Sequence, residues 1–153
     1  MLKAVAEILP EPRSNPFPLI CGVSGGAINA AALALAAEDF GAGIEWLESF
    51  WSGLSAGDVY RADPWGVAVS GGAWLTSLSL GWLVGKSPKA LFDNSPLKAR
   101  LRRELDFGRI EGPLASHALH ALSITCSGYA SGQSVSFFQG RADLEPWHRS
   151  QRV

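Results

Sequence analysis

Gly22-Val23-Ser24-Gly25-Gly26 is a G-x-S-x-G sequence, and its residue types could do chemistry together. A serine hydroxyl in free solution is a poor nucleophile. On a sharp bend between a strand and a helix it is pushed outward, toward the unpaired N–H groups of the helix start. Those groups and the helix dipole favour the negative charge that develops when a carbonyl is attacked. In that arrangement Ser24 is the nucleophile, and the N–H of Gly25 donates to the oxyanion. Gly22 and Gly26 are expected to let strand and helix approach closely. The competing reading is a glycine-rich turn in which Ser24 is an ordinary helix cap.

The flanking residues supply the setting that such a bend requires. Leu19-Ile20-Cys21 is a short apolar run and reads as a buried strand, while Ala27 to Glu38 is alanine-rich and reads as a close-packed helix ended by Gly41 and Gly43. Upstream, Leu2, Val5, Ala6 and Leu9 recur at helical spacing before Pro10 and a proline-rich loop. Ile44, Leu47, Phe50, Trp51 and Leu54 predict a third helix. Ser95-Pro96 starts another, with Leu97, Leu101 and Leu105 in one stripe and Gly108 as its close. Residues 121–129 and 134–139 alternate as strands, joined by a turn at Ser131-Gly132. The elements predict an α/β fold, a mostly parallel central sheet with helices on both faces plus a hairpin, in a single domain over 1–153.

A serine nucleophile needs a base, and the histidines are poorly placed to be one. His117 and His120 sit just before or inside a predicted strand, at core or edge positions, and His148 lies in an unpatterned tail. An α/β-hydrolase would also need several strands before the elbow, yet only 23 residues precede Ser24.

Cys21 to Leu35, Cys-Gly-Val-Ser-Gly-Gly-Ala-Ile-Asn-Ala-Ala-Ala-Leu-Ala-Leu, resembles the elbow and following helix of patatin-like lipid acyl hydrolases. The helix from Leu2 resembles the one before that elbow, Phe92-Asp-Asn-Ser-Pro-Leu97 a segment before a later helix, and Leu122 to Gly140 the hairpin that follows. The resemblance implies a patatin-like fold and a Ser–Asp dyad. It implies a serine carboxylic-ester hydrolase acting on phospholipids or other acyl lipids, with no cofactor and no metal. Ser24 matches the nucleophile, with Gly22, Gly25 and Gly26 forming the elbow and oxyanion site. The family's glycine-rich oxyanion loop finds no match, since the chain opens inside the first helix. The dyad aspartate belongs to an Asp-Gly pair, but Asp39, Asp58, Asp63, Asp93, Asp106 and Asp143 are each followed by another residue, so no aspartate is assigned. The expectation is an incomplete domain, truncated at both ends and inactive as these 153 residues alone.

Composition sets outer limits. With 47% hydrophobic and 18% charged residues, the chain can build a packed core, and a net charge of −1 argues against a nucleic-acid partner. Cys21 and Cys126 are expected to be free, small core residues. Glu7 interrupts the opening apolar run and no cleavage site follows, so a cytoplasmic location is expected. Residues 64–85 carry no charge but hold five Gly and four Ser/Thr, and read as a covering segment or a Trp-bearing flap touching lipid at Trp65, Trp74 and Trp82. Lys86 to Arg109 holds seven basic and three acidic residues, which gives peripheral contact with anionic lipid or a solvated helix face. Seven aromatics between Trp46 and Trp82 could line an acyl-chain pocket or cover the core. A lipid acyl esterase, a non-catalytic lipid-associating protein and a fragment without independent function all remain open on these grounds.

Overall fold

Six α-helices, one 3₁₀-helix and three strands are described by a computed structural model, which covers residues 1–11, 13–59, 94–128 and 131–144. In chain order they are α1 (Leu2–Ile8), β1 (Leu19–Val23), α2 (Gly25–Leu35), α3 (Phe40–Ser52), α4 (Ala56–Val59), α5 (Ser95–Glu104), the 3₁₀ turn Phe107–Ile110, α6 (Glu111–Ala115), β2 (Ala121–Ser127) and β3 (Ser134–Gly140). Packing divides the chain into two units, residues 1–51 with 105–153 and residues 52–104.

The first unit holds the sheet. β1 pairs with β2 in parallel, from Leu19 opposite Ala121 to Val23 opposite Thr125. β2 pairs with β3 antiparallel, from Ala121 opposite Gly140 to Ser127 opposite Ser134. The strand order is β1-β2-β3, so the sheet is mixed, not mostly parallel as the element pattern predicts. A hairpin contributes an antiparallel pair as soon as it joins a crossover strand, and in this sheet that pair is the longer of the two. Gly132 lies at φ 65 in the hairpin turn, and the Gly128 N–H donates to the Gln133 carbonyl at 2.7 Å.

The expectation of helices on both faces is met on one. Ile20 is buried on the side that α2 covers, but Leu19, Cys21 and Val23 on the other side of β1 are exposed, and among the described residues no helix covers them. Cys21 and Cys126 are both exposed, which corrects their expected core role. Strand alternation decides this for Cys21, which lies one residue from Ile20 and hence on the opposite face, whereas Cys126 shares the face of Leu122 and Ile124 and is exposed near the end of β2.

The core lies between α2, α3 and the covered face of the sheet. Ile20, Leu33, Phe40, Ile44, Leu47, Ile110, Leu119 and Leu122 are buried there, and Leu2, Val5, Ala6 and Leu9 of the first helical stripe pack against it. α2 buries the five consecutive residues Ala30–Ala34, so it is apolar all round and enclosed rather than amphipathic. Gly41 and Gly43 do not end a helix but lie inside α3. Gly43 brings α3 close to α2: a Cβ there would stand 2.9 Å from that of Ala36. Phe40 is fully buried and meets Phe17 edge-on at 5.9 Å between ring centroids. Phe40→Ala is expected to lower unfolding free energy by about 3–5 kcal/mol, read from denaturant midpoints.

The second unit pairs α4 with α5. Ser55 precedes α4 and donates its N–H at 2.9 Å and its hydroxyl at 2.6 Å to Asp58 Oδ2, a capping arrangement. Those bonds, with Arg100 adding its charge, hold the Asp58 carboxyl below the ordinary aspartate range. A depressed value means that the contribution is present at neutral pH and is lost as pH falls through the lowered value. NMR titration of Asp58 should give a midpoint below that of free aspartate, and Ser55→Ala should raise it.

Candidate active site

One residue, Ser24, converts strand β1 into helix α2: β1 ends at Val23 and α2 begins at Gly25. So abrupt a change of direction needs an unusual backbone, and Ser24 has φ 56 and ψ −132. For a non-glycine residue that lies outside the small left-handed helical well and costs on the order of 1–3 kcal/mol. His117, at φ 63, is the other positive-φ non-glycine residue among those described. Ser24 is exposed, and although it occupies the N-cap position its side chain makes no cap hydrogen bond. The hydroxyl is therefore not used to tie down the helix, which the helix-cap reading would require.

The tightness of the bend rests on Gly22. A Cβ there would clash with the Gly26 carbonyl oxygen, and would stand 2.6 Å from the Ala30 Cβ and 2.8 Å from the Ala27 Cα. Gly26 behaves differently, since a Cβ at that position would meet none of the described residues within 4 Å. Gly26 thus contributes its carbonyl to the contact, not its missing side chain, and the expectation that both glycines allow close approach holds for Gly22 alone. Gly25 is the first helical residue, and its N–H has no acceptor within the helix by position. The Ala27 N–H turns back to the Ser24 carbonyl at 2.9 Å.

The two described histidines, His117 and His120, lie at the far end of the sheet. His120 stands just before Ala121, which pairs with Leu19 at the start of β1, whereas Ser24 follows the last residue of β1. Five strand residues separate the two ends by roughly 13 Å. His117 is exposed and lines a shallow depression with Glu111, Arg141 and Asp143 at that same far end. His148, Asp63, Asp93 and the uncharged segment 64–85 lie outside the described residues.

Each of the four described aspartates has a hydrogen-bond or ion-pair partner of its own. Asp39 accepts from the Ala42 N–H and pairs with Arg13. Asp58 is held by Ser55, Asp106 accepts from the Gly108 N–H at 3.0 Å, and Asp143 pairs with Arg141. Among the described residues no group of three or more His, Cys, Asp or Glu is placed to hold a metal ion. Within the same limits, no helix is long and apolar enough to cross a membrane.

Asn29 and Trp51 form a contact that no sequence motif marks. The Trp51 indole N–H donates to Asn29 Oδ1 at 2.7 Å, across 22 positions of sequence. The available signal is that Asn29 is the single polar side chain in Gly25–Leu35.

A family model described as patatin-like phospholipase matches residues 1–146. The chain belongs to the patatin-like phospholipase family. The match runs from α1 through the elbow and the hairpin, so it takes in the strand, the strained serine and the helix behind it. Members of the family are serine lipid acyl hydrolases, and acyl lipids are the substrates that membership implies. No curated protein and no solved structure gave a match.

Proposed function

We propose that the chain is a patatin-type lipid acyl ester hydrolase in which Ser24 is the nucleophile. The observation that carries this reading is the Ser24 backbone, held at φ 56 and ψ −132 with its hydroxyl exposed and unused as a helix cap. Strained backbone at a non-glycine residue is concentrated at active sites, ligand clamps and switch regions, which supports a reactive role for Ser24. The Ser24 oxygen attacks the ester carbonyl, the Gly25 N–H donates to the oxyanion, and the alcohol leaves as the acyl group is transferred to serine. Water then releases the acid. The family mechanism passes the serine proton to an aspartate, and no residue of this chain is assigned that role.

The substrate class is a phospholipid or another acyl lipid, met at a lipid surface. The basic helix α5, with Lys98, Arg102 and Arg103 exposed, is suited to anionic headgroups. A second reading is a non-catalytic lipid-associating protein, favoured by the lack of an aspartate followed by glycine in this sequence.

A fluorophosphonate separates the two, because it phosphonylates an activated serine irreversibly. The expected result is labelling of the folded chain at Ser24, mapped by peptide mass. A folded chain that binds anionic liposomes and takes no label would establish the non-catalytic reading instead.

A further inference from the structure

We propose that Trp51 is the wall of the acyl-chain site, against which the hydrocarbon of a Ser24-directed substrate packs. This rests on the reading of Ser24 as nucleophile and adds to it the residue that selects long acyl chains.

Trp51 differs from the other described aromatics of α3. Phe50 is buried in the core and Trp46 stacks on it at 4.9 Å, whereas Trp51 is 41% exposed. An exposed indole normally samples several rotamers, but this one is fixed at two points. Its N–H is bonded to Asn29 Oδ1 at 2.7 Å, and its ring stands edge-on to Phe50 with centroids 5.4 Å apart at 86°. The polar atom of the indole is thereby satisfied, leaving an apolar surface already immobilised before any ligand arrives.

Its position matters as much as its rigidity. A Cβ built on Gly25 would meet only the tip of the Trp51 ring, at 3.9 Å, and one built on Gly26 would meet nothing. The surface after Ser24 is therefore bare backbone bounded by the indole. Neither Gly25 nor Gly26 has a positive φ, so no backbone conformation demands glycine there. Among the described residues, what the missing side chains leave is open ground between the reactive hydroxyl and an aromatic ring. A carbonyl polarised at the Gly25 N–H would send one substituent across that ground onto Trp51, and only an apolar chain gains from the contact.

Calorimetric titration of the 153-residue chain with dodecanoate and with butyrate tests this without requiring turnover. Trp51→Ala is expected to weaken dodecanoate binding about tenfold, the equivalent of about two methylenes losing their burial, and to leave the weak butyrate affinity unaltered. Trp51→Phe should keep dodecanoate within about threefold of wild type, and Asn29→Ala should fall between, because it frees the ring without removing it. Cooperative melting of each variant separates lost binding from lost folding, and Trp51→Phe carries the comparison should Trp51→Ala not fold. Equal dodecanoate affinity in wild type and Trp51→Ala, or no saturable dodecanoate binding at all, would overturn the proposal. Fluorophosphonate labelling of the wild-type chain is read in parallel. An unlabelled Ser24 alongside dodecanoate binding that responds to Trp51 would sink the nucleophile and keep the apolar wall. A labelled Ser24 alongside an indifferent Trp51 would do the reverse.

Discussion

Ser24→Ala is expected to abolish fluorophosphonate labelling and to reduce any ester hydrolysis to the uncatalysed background, without loss of stability. The second half of that statement discriminates between readings. A serine acting as helix cap loses about 0.5–2 kcal/mol on truncation to alanine. The Ser24 hydroxyl makes no cap bond, so truncation removes nothing that the fold uses. Ser24→Gly should go further and raise the unfolding free energy by about 1 kcal/mol. Glycine adopts φ 56 without the steric cost that serine bears, although its greater freedom in the unfolded chain takes back part of the gain. Denaturant unfolding of the three proteins, with labelling read on the same samples, measures both halves. A drop in stability for Ser24→Ala would restore the helix-cap reading.

Gly22→Ala carries the largest expected structural penalty. Its single added methyl would overlap the Gly26 carbonyl and crowd the Ala30 Cβ and Ala27 Cα, two of which are backbone atoms that cannot rotate aside. The helix must move off the strand, at about 3 kcal/mol, and the turn that presents Ser24 opens with it. Labelling should therefore fall even where the protein still folds. Ala30→Gly in the same chain removes one of the three obstacles and should restore part of the stability, a coupling that thermal melts of the single and double variants would reveal. Gly26→Ala makes the control: its Cβ meets nothing, it lies inside a helix, and it should be neutral or stabilising by up to about 1 kcal/mol. Two glycines with the same place in the motif thus differ in what they do, and only the neighbours across the strand–helix gap tell them apart.

The elbow is legible in the residues because its constraints are local. Leu19-Ile20-Cys21 is a short apolar run that reads as a strand, although only its Ile20 is buried, and the alanine-rich run after it is a strong helix former, so the change has to occur between them. Propensity alone starts the helix at Ala27, whereas α2 begins at Gly25, because the packing of Ala30–Ala34 against the sheet outweighs the poor helix propensity of two glycines. The same override puts Gly41 and Gly43 inside α3, where the missing Cβ of Gly43 admits Ala36. The apolar neighbours of Cys21 and Cys126 point to the core, yet both cysteines are exposed, and strand alternation places Cys21 on the open face.

By itself the sequence determined the order of the three strands and the longer helices, the family to which they belong and the residue at the bend, but not the short helices Ala56–Val59, Phe107–Ile110 and Glu111–Ala115. Tertiary structure alone decided that the sheet is mixed and that His117 and His120 stand at the end away from Ser24. It also decided that Asn29 reaches Trp51 across 22 positions. Periodicity records which face of an element is apolar but not which partner it meets, and pairing between distant segments is set by the packing of the whole core.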